Sequence, residues 1–146
     1  MRAPFTQLYL HCVWSTWDRI HLITPQLERP VYSAIKAKCQ ELKCEVIAIG
    51  GMPDHIHLLV RLHPTVSVSG LLKGVKGSSS HLVTHEVLKD EFFKWQGSYG
   101  AFTVAKKDVP RVKVYIERQI EHHTRGSLYD EWEKVELPED DEVENG

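Results

Sequence analysis

Apolar positions along the chain follow two periods, and they divide it into four strands and three helices. Residues 7–16 (QLYLHCVWST) are dense in aromatic and β-branched side chains and read as a first strand. Thr24-Pro25 resembles a cap with proline at the first helical position. The helix it opens carries Leu27, Val31, Ala34, Ile35 and Leu42 toward a core, and Pro30 leaves its start open by a turn. Residues 44–50 read as a second strand, Gly50-Gly51-Met52-Pro53-Asp54 as a turn, and His55-Ile56-His57-Leu58-Leu59-Val60 as a third strand.

A second helix is expected over residues 67–88, with Val68, Leu71, Leu72, Val75 and Leu82 on one side. Gly74 and Gly77 inside it each cost up to about 1 kcal/mol relative to Ala. Close approach of another backbone, such as a DNA strand, and a helix broken near Gly77 are the two explanations the sequence offers. Residues 97–105 make a fourth strand, and residues 108–123 read as an amphipathic helix. Asp108 would be its N-cap, Pro110 lies in its first turn, and Val109, Val112, Ile116 and Ile120 form its apolar stripe. The order β-α-β-β-α-β plus a C-terminal helix predicts an α+β, ferredoxin-like chain. Its four-stranded sheet is antiparallel, with two helices on one face and the first and third strands in the centre.

The chain has 146 residues and a net charge of −2, which at first argues against a nucleic-acid partner. The distribution changes this. From Glu133 onward there are seven acids and one lysine, so that stretch carries −6. The preceding 132 residues, with 17 bases and 13 acids, carry +4. We therefore divide the chain into one domain, residues 1–132, and an acidic, disordered tail, residues 133–146. No apolar run approaches membrane-spanning length and no signal-peptide core is visible. Cys12, Cys39 and Cys44 show no metal-binding spacing and read as reduced thiols, which points to the cytoplasm.

The chemistry concentrates in two places. On a strand, His55 and His57 project from the same face while Ile56, Leu58 and Val60 project from the other, which makes half of a metal site on the non-core surface. A His-x-His pair by itself also occurs on strands as plain surface. On the last helix Tyr115 and Gln119 stand one turn apart. Two readings apply: a half-buried Tyr beside a solvated Gln, or a tyrosine nucleophile with an amide oxygen as third ligand. Two imidazoles and an amide without a thiolate favour a hard divalent ion, Mg²⁺ or Mn²⁺, with open positions for a phosphate.

Taken together, His55-Ile56-His57 and Tyr115-x-x-x-Gln119 resemble the HUH single-tyrosine transposases of minimal bacterial insertion sequences, including the REP-associated tyrosine transposases. Gly51-Met52-Pro53-Asp54, the segment from Trp95 to Val104 and the ending from Tyr115 to His123 add to the likeness. The resemblance runs from about Phe5 to about Arg125. It implies cleavage and rejoining of single-stranded DNA with hairpin ends through a 5′-phosphotyrosine on Tyr115. It also implies a metal held by His55, His57 and Gln119, and a homodimer whose tyrosine serves the partner's site in trans. Arg61, Lys73, Lys76, Lys106, Lys107, Arg111 and Lys113 are candidate phosphate contacts, and ordinary solubilising charge explains any of them equally. Trp14, Trp17, Tyr99 and Phe102 are candidate base-stacking groups, with core packing favoured for Trp14 and Phe102. His122 could handle a proton; an inert exposed histidine is the simpler reading. The alternatives are a domesticated hairpin-repeat nuclease of the same chemistry and a non-catalytic nucleic-acid-binding module on the same fold.

Overall fold

The computed structural model describes residues 2–89, 91–119, 126 and 130–137. The chain runs β1 (Tyr9–Ser15), α1 (Pro25–Glu41), β2 (Glu45–Met52), β3 (His55–Arg61), α2 (Val68–Leu82), β4 (Gly100–Val104) and α3 (Val109–Glu117). All pairings are antiparallel and the strand order is β2-β3-β1-β4. The first and third strands are therefore central, as the ferredoxin-like order requires.

Strand alternation divides the sheet between two cores. Leu10, Cys12 and Trp14 of β1 and Ile56, Leu58 and Val60 of β3 point to the face covered by α1 and α2. On α1 the buried side chains are Leu27, Val31, Ile35 and Cys39, four residues apart in succession. Leu71, Val75, Ser79 and Val83 repeat that spacing along α2 and the π-helical turn, Val83–Val87, that extends it. Ser67 caps α2 by accepting from the backbone N–H of Gly70 at 3.0 Å. Helix α2 is continuous through both glycines. A Cβ on Gly74 would lie 3.3 Å from Leu42 and Lys38 side-chain atoms, so this glycine admits the end of α1; Gly77 faces open space.

Helix α3 covers the other face, where Val112, Tyr115 and Ile116 pack on Ala48 and Leu59. Burial of Val112 and Ile116 contributes roughly 1.5–3 kcal/mol each to holding the helix there. Asp108 precedes α3 but makes no side-chain cap bond, because it closes a 3-10 turn, Lys106–Asp108, that runs directly into the helix.

One local reading is corrected, and one left open is settled. Gly50 and Gly51 do not form the turn before the histidines; they belong to β2, where Gly50 pairs with His57 and Met52 with His55, leaving only Pro53 and Asp54 between the strands. A Cβ on Gly50 would run into the backbone carbonyl of Ile116, so the glycine is what lets α3 lie against the sheet. Earlier in β2 the register shifts between Val46 and Ala48, a bulge that turns both Ile47 and Ala48 toward α3. Pro30 lies inside α1, which starts at Pro25 and gives up one backbone bond at that point.

Candidate functional site

Strand alternation puts His55 and His57 on the α3 side of β3. The expected exposed surface is absent, because α3 and the segment from Asp130 to Lys134 cover it. His55 is 2 % exposed, His57 0 % and Tyr115 2 %. The Tyr115 ring stands 5.8 Å from the His57 ring, nearly perpendicular to it. Helix α3 ends at Glu117, and Gln119 folds its amide back so that Nε2 donates to the Tyr115 carbonyl at 3.3 Å. That bond aims the amide oxygen at Nε2 of His55, 3.2 Å away.

Both histidines are oriented from behind. Oδ1 of Asp54 lies 2.7 Å from Nδ1 of His55, and Asp54 is itself fixed in the hairpin turn, where the N–H groups of Thr16 and Ile23 bind the Asp54 and Pro53 carbonyls. Nε2 of His11, on β1, lies 2.8 Å from Nδ1 of His57. Carboxylate–histidine and histidine–histidine contacts of this kind fix which ring nitrogen faces the site.

Residues 130–133 form a 3-10 helix over the pocket. Trp132 meets Tyr115 edge-on at 4.9 Å and His11 at 5.8 Å. Oε2 of Glu133 is 2.7 Å from Nε2 of His57, and Oε1 is 3.5 Å from Nε2 of His55. Glu133, the first residue of the acidic stretch read as a tail, thus faces both histidines of the pocket. Residues 138–146 lie outside the described residues, as do His122 and His123.

The electrostatics follow from burial and these partners. Burial alone depresses the His55 pKa, but its bonds to Asp54, Glu133 and Gln119 and the Glu133 charge outweigh that and raise it to about 9. His11 is lowered to about 3, by burial first and by the neighbouring His57 second, and stays neutral. Burial opposes ionisation of Glu133, yet hydrogen bonds from His55 and His57 hold its carboxyl well below the usual range. Without a metal, the pocket holds a carboxylate against a protonated imidazole. The donor set fits a divalent ion, because Nε2 of His55, Nε2 of His57 and a Glu133 oxygen all lie within 4.8 Å of one another.

The candidate phosphate contacts separate. Lys76 is half-buried and donates to the carbonyls of Gln96 and Ser98, so it pins a loop to α2. Burial lowers its pKa. Arg61 donates to the Thr6 carbonyl. Arg111 lies 5.5 Å over the Trp132 ring, beside the pocket. Lys73, Lys106, Lys107 and Lys113 are exposed. Trp14 is buried in the core against Trp95, Tyr99 and Phe102 are half-buried, and Trp17 is exposed with Lys94 4.0 Å over its ring.

The sequence reading did not include His11, Asp54 and Glu133 in the site. The β1–β3 register would have found His11, since Val13 pairs with His57. The tyrosine was expected to serve a partner chain. Here Tyr115 and Gln119 stand against the histidines of their own chain, because α3 folds back over its own β2 and β3.

Residues 4–119 match the family model described as Transposase IS200 like. The chain is 27 % identical to the ISDra2 transposase TnpA of Deinococcus radiodurans over 123 residues, 81 % of this chain and 88 % of that protein. It is 29 % identical over 122 residues to the transposase for insertion sequence element IS200 of Salmonella typhimurium, covering 80 % of this chain and 79 % of that protein. In fold it is similar to a crystal structure from Deinococcus radiodurans R1, with TM-score 0.64 and 24 % identity over 82 % of this chain and 95 % of that one. It is also similar to a REP-associated tyrosine transposase bound to a REP hairpin, with TM-score 0.63 and 16 % identity over 88 % of this chain and 74 % of that one.

Proposed function

Since the chain belongs to the IS200-like transposase family, we propose that it cleaves and rejoins single-stranded DNA through a covalent link on Tyr115. The observation that carries this reading is one convergence. The helical pair Tyr115 and Gln119 meets the strand pair His55 and His57, with 5.8 Å between the Tyr115 and His57 rings and 3.2 Å between Gln119 Oε1 and His55 Nε2.

In the proposed reaction the Tyr115 oxygen attacks a backbone phosphorus. The bond from that oxygen to phosphorus forms, the bond from phosphorus to the 3′-oxygen breaks, and the strand leaves with a 3′-OH. A phenolate, with a pKa of about 10 in water, is a far better leaving group than a sugar alkoxide. The 5′-phosphotyrosine therefore retains the bond energy, and a second 3′-OH can reverse the step without ATP. His55, His57 and Gln119 would hold a Mg²⁺ or Mn²⁺ ion, which supplies polarisation of the phosphoryl oxygens and stabilisation of the departing 3′-oxygen.

DNA with a hairpin is the proposed substrate, in line with the REP hairpin carried by a structural relative. Exposed Lys106, Lys107 and Lys113, with Arg111 at the pocket rim, are the proposed phosphate contacts. A twofold homodimer in the cytoplasm completes the proposal, and light scattering is expected to give twice the 16.8 kDa chain mass. No described helix is long and apolar enough to cross a membrane. The contact of Tyr115 with its own His57 supports a site completed within each chain.

The deciding experiment incubates the full chain with labelled single-stranded hairpin DNA and Mn²⁺, then separates products on a denaturing gel. A protein–DNA adduct is expected, and Tyr115→Phe should abolish it. An adduct formed by Tyr115→Phe at undiminished yield overturns the assignment.

A further inference from the structure

We infer that Glu133 is a fourth protein ligand of the divalent ion, supplied by a segment that lies beyond the family match at residues 4–119. The inference rests on the metal centre proposed above and extends it.

The argument is one of lone pairs. Nδ1 of His55 is used on Asp54 and Nδ1 of His57 on His11. With a proton on each Nδ1, both Nε2 atoms present lone pairs to the pocket. The Gln119 oxygen and the Glu133 carboxylate enter the same space, and Glu133 approaches both imidazoles, at 2.7 Å and 3.5 Å. Ligand atoms that converge this closely need positive charge among them, which protons on the imidazoles or a bound cation in their place can supply. A divalent ion bound at about 2.0–2.2 Å from each ligand suits such spacings.

The position of Glu133 is built. Trp132, its neighbour, packs against Tyr115 and His11. Past Glu133, the Lys134 carbonyl passes so close to Gly100 that a Cβ there would collide with it. The segment is therefore seated on both sides of the carboxylate. Two imidazoles and an amide carry no charge, so Glu133 brings the one formal negative charge to this ligand set, and ligand charge is a main determinant of cation affinity.

The test is calorimetric titration of the full chain with Mn²⁺ and, separately, Zn²⁺. Glu133→Ala should weaken binding by about tenfold or more, and Glu133→Gln, which keeps a neutral oxygen, by less. Unchanged or tighter binding by both variants overturns the inference, because the carboxylate would then be a competitor of the ion. His57→Ala separates the levels. If it loses the metal while the Glu133 variants keep it, only the role of Glu133 falls. If it retains full affinity, or if the unsubstituted chain binds neither ion, the metal centre itself falls and this inference with it.

Discussion

Nε2 of His11 lies 2.8 Å from Nδ1 of His57, a contact between neighbouring strands that presents the opposite nitrogen of His57 to the pocket. His11 is neutral, so it can accept the Nδ1–H of His57 without adding charge. Asp54 does the same for His55 with a full carboxylate. The two imidazoles of one motif are thus held by supports of different basicity.

Replacing His11 by Ala should weaken Mn²⁺ binding by roughly 10–100-fold, the usual cost of losing an outer-shell partner. The covalent adduct should still form at saturating Mn²⁺, because Tyr115 and both ligand histidines remain. Calorimetry and the gel assay read the two effects separately. An unchanged Mn²⁺ affinity would show that His11 is packing only.

Gly50→Ala addresses the seat of α3. Its Cβ meets the Ile116 backbone carbonyl, which no side-chain rotation relieves. Overpacking of this kind typically costs 1–3 kcal/mol, and the helix that moves carries Tyr115 and Gln119. Adduct formation should fall by about tenfold or more, while thermal melting remains cooperative. Normal adduct yield with a normal melting temperature would contradict the close approach.

Mixing Tyr115→Phe with His57→Ala tests which chain supplies the tyrosine. When each chain completes its own site, every site in the mixture lacks one component and cleavage stays at background. Recovery of cleavage, with subunit exchange verified separately, would show that the tyrosine crosses between chains.

The buried cysteines predict behaviour at alkaline pH. Burial, with a smaller effect from Cys44, raises the Cys39 thiol to about 12, and burial pushes Cys12 up as well. A group whose pKa is raised on folding contributes stability that is complete below its unfolded value, near 9, and lost as pH climbs toward the folded one. Stability should therefore decline from about pH 9 upward, and Cys39→Ala should flatten that decline. A slope unaffected by the substitution would place the titration elsewhere.

The sequence made some of this legible and hid the rest for physical reasons. Alternation was enough to put His55 and His57 on the face away from Ile56, Leu58 and Val60, and helical spacing was enough to pair Tyr115 with Gln119. Local pattern does not carry strand register, so His11 stayed hidden until β1 was laid beside β3. Gly50-Gly51 looked like a turn because glycine is common in turns. Its actual role, clearance for the backbone of α3, is a tertiary fact. Glu133 was lost in an acidic run, since composition averages over neighbours and cannot single out one carboxylate that folds back.

The bulge at Ile47 makes the chemistry depend on counting. Were Ile47 kept and the pairing continued regularly from Val46 and Val60, Gly50 would pair with Ile56 instead of His57 and would face α1, while Ile49 would rise into the path of α3. Such a slip by one residue would leave composition and hydrophobicity untouched and every residue of the motif in place. It would nevertheless unseat the tyrosine. The extra residue thus carries no chemistry itself; it decides on which face of the sheet the chemistry is assembled.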